Sequence, residues 1–316
     1  MSDLAYDVVV PTIGRPSLAT LLASLAAAEG PPPERVIVVD DRCDASEPLP
    51  LGDASALAGR VRVVRGTAAG PAAARNRGWR AASASWIAFL DDDVVVDREW
   101  RGALLADLAA CTATCAGTQG DVRVPLPLDR RPTDWERNLA ALEGARWITA
   151  DLAYRRSALR AVGGFDERFP RAYREDADLA LRLVARGYTI VQGTRRVEHP
   201  VRPTDAWVSV RLQAGNADDA LMEALHGSDW YERAASPRGA LAQHVVTTAL
   251  AVTSLVTAVA WLIATASFAW RRIAPGPRDA REVRTMLLTS VLIPFAAVYH
   301  RLRGAAAVAR LQRPDG

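Results

Sequence analysis

Two short apolar runs end in carboxylates, and these two strings constrain the chain more than anything else in it. Residues 36–39 read VIVV and run into Asp40 and Asp41; residues 86–90 read WIAFL and run into Asp91, Asp92 and Asp93. A strand with one wet face alternates apolar and polar residues. An unbroken apolar run marks a strand buried on both faces, as in a parallel sheet covered by helices. In open α/β sheets, ligands sit beyond the carboxyl ends of the strands, so both acidic clusters fall at one rim. The surrounding sequence supplies the rest of such a sheet. Residues 7–10 form a first strand ended by Pro11, and 61–64 a third. After Pro16, which suits a first helical turn, Leu18, Leu21, Leu22 and Leu25 mark one apolar helix face, stopped by Gly30 and the prolines at 31–33. Residues 72–83 read as a second helix. Strand alternating with helix predicts a doubly wound α/β fold.

Composition narrows the function. The chain has 316 residues, half of them hydrophobic, enough for one sizeable α/β domain and something smaller. A net charge of +3 is too small to argue for nucleic acid. Every basic residue is arginine. A P-loop needs its lysine and so does a Schiff-base mechanism, so both are excluded. The cysteines Cys43, Cys111 and Cys115 form no CxxC, which points to free thiols in a reducing compartment. The first residues carry neither a basic segment nor a long apolar run, so a cytoplasmic start without a signal peptide is expected.

From about residue 235 the composition changes, which predicts a domain over residues 1–235 and a membrane-associated helical hairpin with a basic tail over 236–316. Residues 245–270 carry no charge and are long enough to cross a bilayer. Residues 285–299 are shorter, contain Pro294, and are marginal as a span.

Three adjacent carboxylates repel one another, and a hard cation such as Mg2+ or Mn2+ relieves them. An isolated Asp triplet would read equally well as a solvated loop; the strand in front of Asp91 argues for a site. Asp40 or Asp41 can accept hydrogen bonds from a base or a ribose. Arg75, in GPAAARNRGW, suits a diphosphate. Glu175 and Asp176 open a helix, where the dipole alone favours acids, but a carboxylate there can also act as a general base. His199 is either structural or a metal ligand.

The strings VVVPTIGRPSL, VIVVDD, GPAAARNRGW, WIAFLDDDV, AYRRSALRAVGGFDE and REDADLALRL, in this order over about residues 5 to 200, resemble the inverting family 2 glycosyltransferases of the GT-A fold, membrane-associated bacterial type. The resemblance implies a Rossmann-like mixed sheet with flanking helices. It implies that Pro11, Thr12 and Arg15 line a nucleotide pocket, that Asp40 reads the base, and that Arg75 and Asn76 sit near the donor phosphates. Asp91, Asp92 and Asp93 would form the DxD element on the nucleotide sugar, with Asp91 and Asp93 on Mn2+ or Mg2+ and His199 as a further ligand. Asp176 would be the catalytic base, paired with Glu175, and Asp151 would face the donor sugar or the acceptor. The partners implied are a nucleotide-diphosphate sugar and a glycan or lipid-linked acceptor.

The QxxRW string of processive synthases is absent, which argues against a processive polymerase. A polyprenyl-phosphate glycosyltransferase is the alternative enzyme, and a non-catalytic membrane protein with a degenerate transferase domain the alternative of another class. A sugar-1-phosphate nucleotidyltransferase would need a Gly-rich N-terminal signature and a lysine. Nucleotide sugars are cytoplasmic, which places the catalytic domain on the cytoplasmic face. If both apolar runs span, the arginines between 271 and 284 lie outside, against the positive-inside rule. Helices lying in the cytoplasmic leaflet against membrane lipids satisfy those charges instead.

Overall fold

The apolar runs become the centre of one sheet. The computed structural model describes residues 4–53, 57, 59–253 and 257–311. In chain order the first elements are β1 (Tyr6–Thr12), α1 (Ser17–Ala27), β2 (Val36–Asp40), β3 (Val61–Arg65), α2 (Pro71–Ala81), β4 (Trp86–Leu90), β5 (Val95–Val96), α3 (Trp100–Ala110) and β6 (Cys115–Arg123). Then come α4 (Asp134–Ala140), β7 (Asp151–Arg155), α5 (Arg156–Val162), α6 (Glu175–Val184), β8 (Thr189–Glu198), α7 (Val208–Arg211), α8 (Gly215–His226) and α9 (Trp230–Arg233). The last are α10 (Leu241–Thr253), α11 (Ala258–Ile273) and α12 (Ala280–Leu311).

Contacts divide the chain into one unit of Met1–Pro125 with Leu142–Pro200, and another of Leu126–Ala141 with Val201–Gly316. Residues 201–235, which the sequence groups with the first domain, therefore count with the C-terminal helices. The first unit holds the eight-stranded sheet, in the order β3-β2-β1-β4-β7-β6-β8-β5. β1 to β4 are parallel where they pair, and β7 runs antiparallel to both β4 and β6. Successive residues of β1 feed opposite cores. Val8 and Val10 pack with Leu18, Leu22, Trp100 and Leu104; Val9 packs with Trp79, Phe89, Leu152 and Leu179. This two-sided burial is what the unbroken apolar runs require.

α2 lies close on β1 and β2 because residue 78 is glycine. A Cβ there would overlap a Val9 methyl and come within 3.1 Å of Val39 Cγ2.

In the second unit, α12 is the one helix among the described residues long and apolar enough to cross a membrane. The sequence expects the longer run, 245–270, to be the span. The apolar run at 245–270 is shared between α10 and α11, with 254–256 outside the described residues. The marginal run at 285–299 is extended at both ends by alanine and arginine, good helix formers, into 32 residues with Pro294 inside. Met286, Thr289, Ile293, Ala297 and Gly304 form its buried stripe, and a Cβ on Gly304 would strike the Ala217 backbone of α8. Arg272 of α11 reaches Thr289 Oγ1 at 2.8 Å, Ser290 Oγ at 2.9 Å and Asp134 Oδ2 at 2.7 Å, tying α4, α11 and α12 together.

Gly78→Ala is expected to cost about 1–3 kcal/mol, the usual range for overpacking. Helix propensity alone would give a gain of roughly 1 kcal/mol, so the sign decides. Urea melts of the two proteins would show it; an unchanged or raised midpoint would mean that α2 and the sheet part freely here.

Candidate functional site

The register of β1 and its neighbours builds the rim. Thr12 pairs with Asp40 across β1–β2, and Val9 pairs with Phe89 across β1–β4, which carries Thr12 level with the residues just after β4. There Thr12 Oγ1 donates to Asp92 Oδ2 at 2.6 Å and Arg15 Nη1 to Asp92 Oδ1 at 2.6 Å. Asp92 is thus spent on fastening the β1 loop to the end of β4. Its neighbours Asp91 and Asp93 go elsewhere. One ligand atom each from Asp91, Asp93 and His199 lie within 4.8 Å of one another.

Those three residues fit a divalent cation. Asp93 and His199 are buried, with His199 Nε2 3.4 Å from Asp93 Oδ1. His199 Nδ1 is buried without a hydrogen-bond partner. Two carboxylates and an imidazole are a donor set for Mn2+ or Mg2+, the imidazole favouring the former. His199 reaches this point because β8 runs parallel to β6 up to Glu198, and the His199 N–H then donates to Arg123 O at 2.7 Å.

Beside the cluster, Arg75 is 1% exposed. Its Nη2 donates to Asp91 Oδ1 at 2.8 Å and its Nη1 to Glu175 Oε1 at 2.7 Å. Arg75, expected near the donor phosphates, holds a carboxylate at each end of its fork. Arg15, 36% exposed along its side chain, is a guanidinium of this rim that solvent reaches, as is Arg65 beside Asp40, at 45%. Glu175 and Asp176 begin α6 immediately after Arg174, a non-glycine residue in the left-handed region at φ 77°. Such backbone costs about 1–3 kcal/mol and collects at functional sites. Asp176 is half-buried, and its Oδ1 accepts from the Ala177 N–H at 2.7 Å.

Three expected site residues stand differently. Asn76 is 1% exposed and fully engaged: its Nδ2 donates to Phe165 O and Glu167 Oε1, and its Oδ1 accepts from Trp79 Nε1 and the Phe165 N–H. It fastens the turn at 163–167 to α2 rather than facing a ligand, and Gly164, at φ 83°, leaves room for its amide. Asp151 lies directly opposite Leu90 on β4, and cross-strand partners share a face. Leu90 points to the core of Trp100, so Asp151 does too. Its oxygens accept from Trp100 Nε1 at 2.8 Å and Arg195 Nε at 2.8 Å, away from the carboxylate rim. Asp40 is at the rim, but Arg42 holds it through Nε and Nη2, each at 2.8 Å. Pro11 is half-buried on β1.

Sequence reading missed the network behind Asp151. Arg195, 1% exposed, also binds Asp107 Oδ2 at 3.0 Å and Thr118 O at 2.6 Å. Asp41, offered by the sequence beside Asp40 as a base or ribose acceptor, instead accepts from the amides of Thr67, Ala68 and Gly70 and shapes the loop into α2.

Residues 7–162 match the profile described as glycosyl transferase family 2. Over 167 residues the chain is 32% identical to the pre-mycofactocin glycosyltransferase of Mycobacterium tuberculosis, in strains CDC 1551 / Oshkosh and ATCC 25618 / H37Rv alike. The match takes in 48% of this chain and 34% of each relative, so the chain spans about a third of their length. The fold is that of the mannosyltransferase PcManGT from Pyrobaculum calidifontis, solved in complex with GDP-Man and Mn2+. The TM-score is 0.54 at 18% identity, over 94% of this chain and 86% of that one. The mixed sheet with flanking helices is the GT-A fold.

Burial, then the charge of Asp176, pushes the Glu175 carboxyl up from its ordinary 4.5 to about 8, against the pull of Arg75. A group raised in the folded state adds stability below its unfolded value and loses it as pH rises through the folded one. In metal-free buffer the wild type should therefore lose Tm relative to Glu175→Gln between about pH 4.5 and 8. Parallel Tm profiles for the two proteins would mean that Arg75 keeps Glu175 ionised throughout.

Proposed function

The chain belongs to glycosyl transferase family 2, and from that premise we propose that it transfers a sugar from a nucleotide-diphosphate sugar to a hydroxyl of a membrane-linked or envelope glycan or lipid acceptor, inverting the anomeric carbon. The observation that carries this reading is the meeting of Asp91, Asp93 and His199 beside the Arg75–Glu175 pair at the strand ends.

Asp91, Asp93 and His199 would hold Mn2+ or Mg2+, which when bound supplies positive charge to the donor diphosphate. Thr12 and Arg15 line the nucleotide side of the rim through their shared hold on Asp92. Asp40 stays the candidate for the base, with Arg42 yielding one oxygen. Asp176 is the general base. Burial pushes its carboxyl up, while the Ala177 N–H and the charges of Arg75 and Arg174 oppose this. A raised carboxylate is a stronger proton acceptor near neutral pH. The acceptor oxygen attacks the anomeric carbon as its proton passes to Asp176, and the bond to the diphosphate breaks in the same displacement. No covalent glycosyl-enzyme forms. Arg75 is a positioning residue: it holds Asp91 and Glu175 in place.

The second unit supports this reading of the acceptor class and location. α10, α11 and α12 expose Val252, Leu262, Ile263, Trp270, Leu292 and Leu302, among others. Exposed apolar surface on this scale marks a partner or a membrane. We place the protein at the cytoplasmic face, where nucleotide sugars are made.

Detergent-purified full chain, titrated with UDP, GDP, dTDP and CDP with and without Mn2+, should bind one nucleotide only with the metal. Asp93→Asn should abolish that binding. Asp176→Asn should keep it and lower transfer by about 100- to 10,000-fold. Folded protein that binds no nucleotide under either condition would overturn the donor site and favour a degenerate domain.

A further inference from the structure

At the start of α12 the second unit holds a cavity of about 470 Å³ lined by Ala206, Trp207, Arg281, Arg284, Thr285 and Leu288. Positions 281, 284, 285 and 288 are one helical face, so both guanidiniums and the leucine turn the same way. We propose that this cavity binds a bilayer lipid with an anionic phosphate head, the phosphate held by Arg281 and Arg284 and the hydrocarbon lying against Trp207 and Leu288. The inference rests on the reading that α10–α12 meet a membrane.

Several arginines of this unit are already held by acids. Arg272 is held by Asp134, Arg130 by Glu136, Arg211 by Asp205 and Arg301 by Glu223. Among the described residues, Arg281 and Arg284 have no ion pair or side-chain hydrogen bond. The acids nearest in sequence are committed elsewhere: Glu282 Oε1 accepts from the Asp134 N–H, and Asp279 Oδ1 from the Glu282 N–H. Asp205 accepts from the Trp207 N–H and from Arg211. Nor do these arginines help the helix, because cations in a first turn oppose its dipole. Like charges a turn apart also repel. A phosphate between them removes both penalties, and guanidinium forks match phosphate oxygens two at a time.

The apolar wall separates a lipid from a soluble anion. Trp207 is 45% exposed, and indole suits the boundary between head group and hydrocarbon. From the cavity an exposed apolar strip continues down α12 through Leu288, Leu292, Tyr299 and Leu302. A free phosphate has no use for that strip; an acyl or prenyl chain does.

The test uses the full chain in neutral detergent, titrated with dioctanoyl phosphatidic acid, dioctanoyl phosphatidylcholine and inorganic phosphate, read by thermal shift. Phosphatidic acid should bind at least about tenfold tighter than either of the others, as two charge-assisted contacts plus a tail require. Arg281→Gln with Arg284→Gln should erase the preference over phosphatidylcholine. Arg303→Gln with Arg310→Gln, exposed on the same helix away from the cavity, should keep it. Equal binding of the two lipids, inorganic phosphate matching phosphatidic acid, or equal loss in both double variants would each overturn the site. Flotation with phosphatidylcholine vesicles checks the membrane reading separately. Protein that floats but shows no head-group preference sinks this site alone, and protein that does not float sinks both.

Discussion

A buried guanidinium shared between two carboxylates holds the rim together. Arg75 comes from α2, Asp91 from the end of β4 and Glu175 from the start of α6, so one side chain fastens three elements that are distant in sequence. Burying these charges is costly, and the cost is met only while the geometry holds; removing one partner of such a pair typically loses about 3–5 kcal/mol. Each element is prepared for the contact. Gly78, one turn after Arg75, lets α2 sit low on the sheet, and Arg174 takes a left-handed conformation so that Glu175 opens its helix pointing inward. The phenyl ring of Phe165, 5.7 Å from the guanidinium carbon, closes one side.

What the sequence made legible was what local pattern controls. The strands at 36–40 and 86–90 could be read because two-sided burial writes itself as an unbroken apolar string. Asp91 and Asp93 are set apart from Asp92 by the family resemblance and not by local pattern, because the three residues lie in the turn after β4. What stayed hidden depended on register or on partners far along the chain. Asp151 is one position from joining the rim: opposite Leu90 it faces Trp100, and nothing in the string around it says which strand residue it opposes. Arg195 lies in TIVQGTRRVE, next to an arginine that is half-exposed, with no mark of its burial. Arg75 was read as seeking an external anion because the internal ones, 16 and 100 residues away, are not apparent from its neighbourhood.

The C-terminal unit solves a different problem, that of a long helix with two apolar faces. One stripe of α12 is covered by α8, α10 and α11, with Gly304 allowing close approach to Ala217 and Arg272 drawing α4 in through Asp134. Arg272 is 8% exposed yet makes contacts to a carboxylate and two hydroxyls, so its burial is compensated. The other stripe has no cover among the described residues. A helix bundle that finishes one side with this care and leaves Leu287, Leu288, Leu292 and Leu302 in contact with solvent on the other has a surface whose partner is apolar.

The charge balance of the rim gives the two units a common logic. Its arginines are committed: Arg42 and Arg65 to Asp40, Arg15 to Asp92, and Arg75 to Asp91 and Glu175 together. Acids nonetheless outnumber arginines. Asp93 faces the imidazole of His199 at 3.4 Å, and Asp176 accepts a hydrogen bond from the Ala177 amide. The excess falls on the residues whose proposed work is to bind a cation and to accept a proton. A folded protein tolerates an excess of negative charge in one place when a ligand supplies positive charge there. The start of α12 shows the same imbalance with the sign reversed, two arginines without acids. In both units the charge left uncompensated by the chain identifies the chemistry of what it binds.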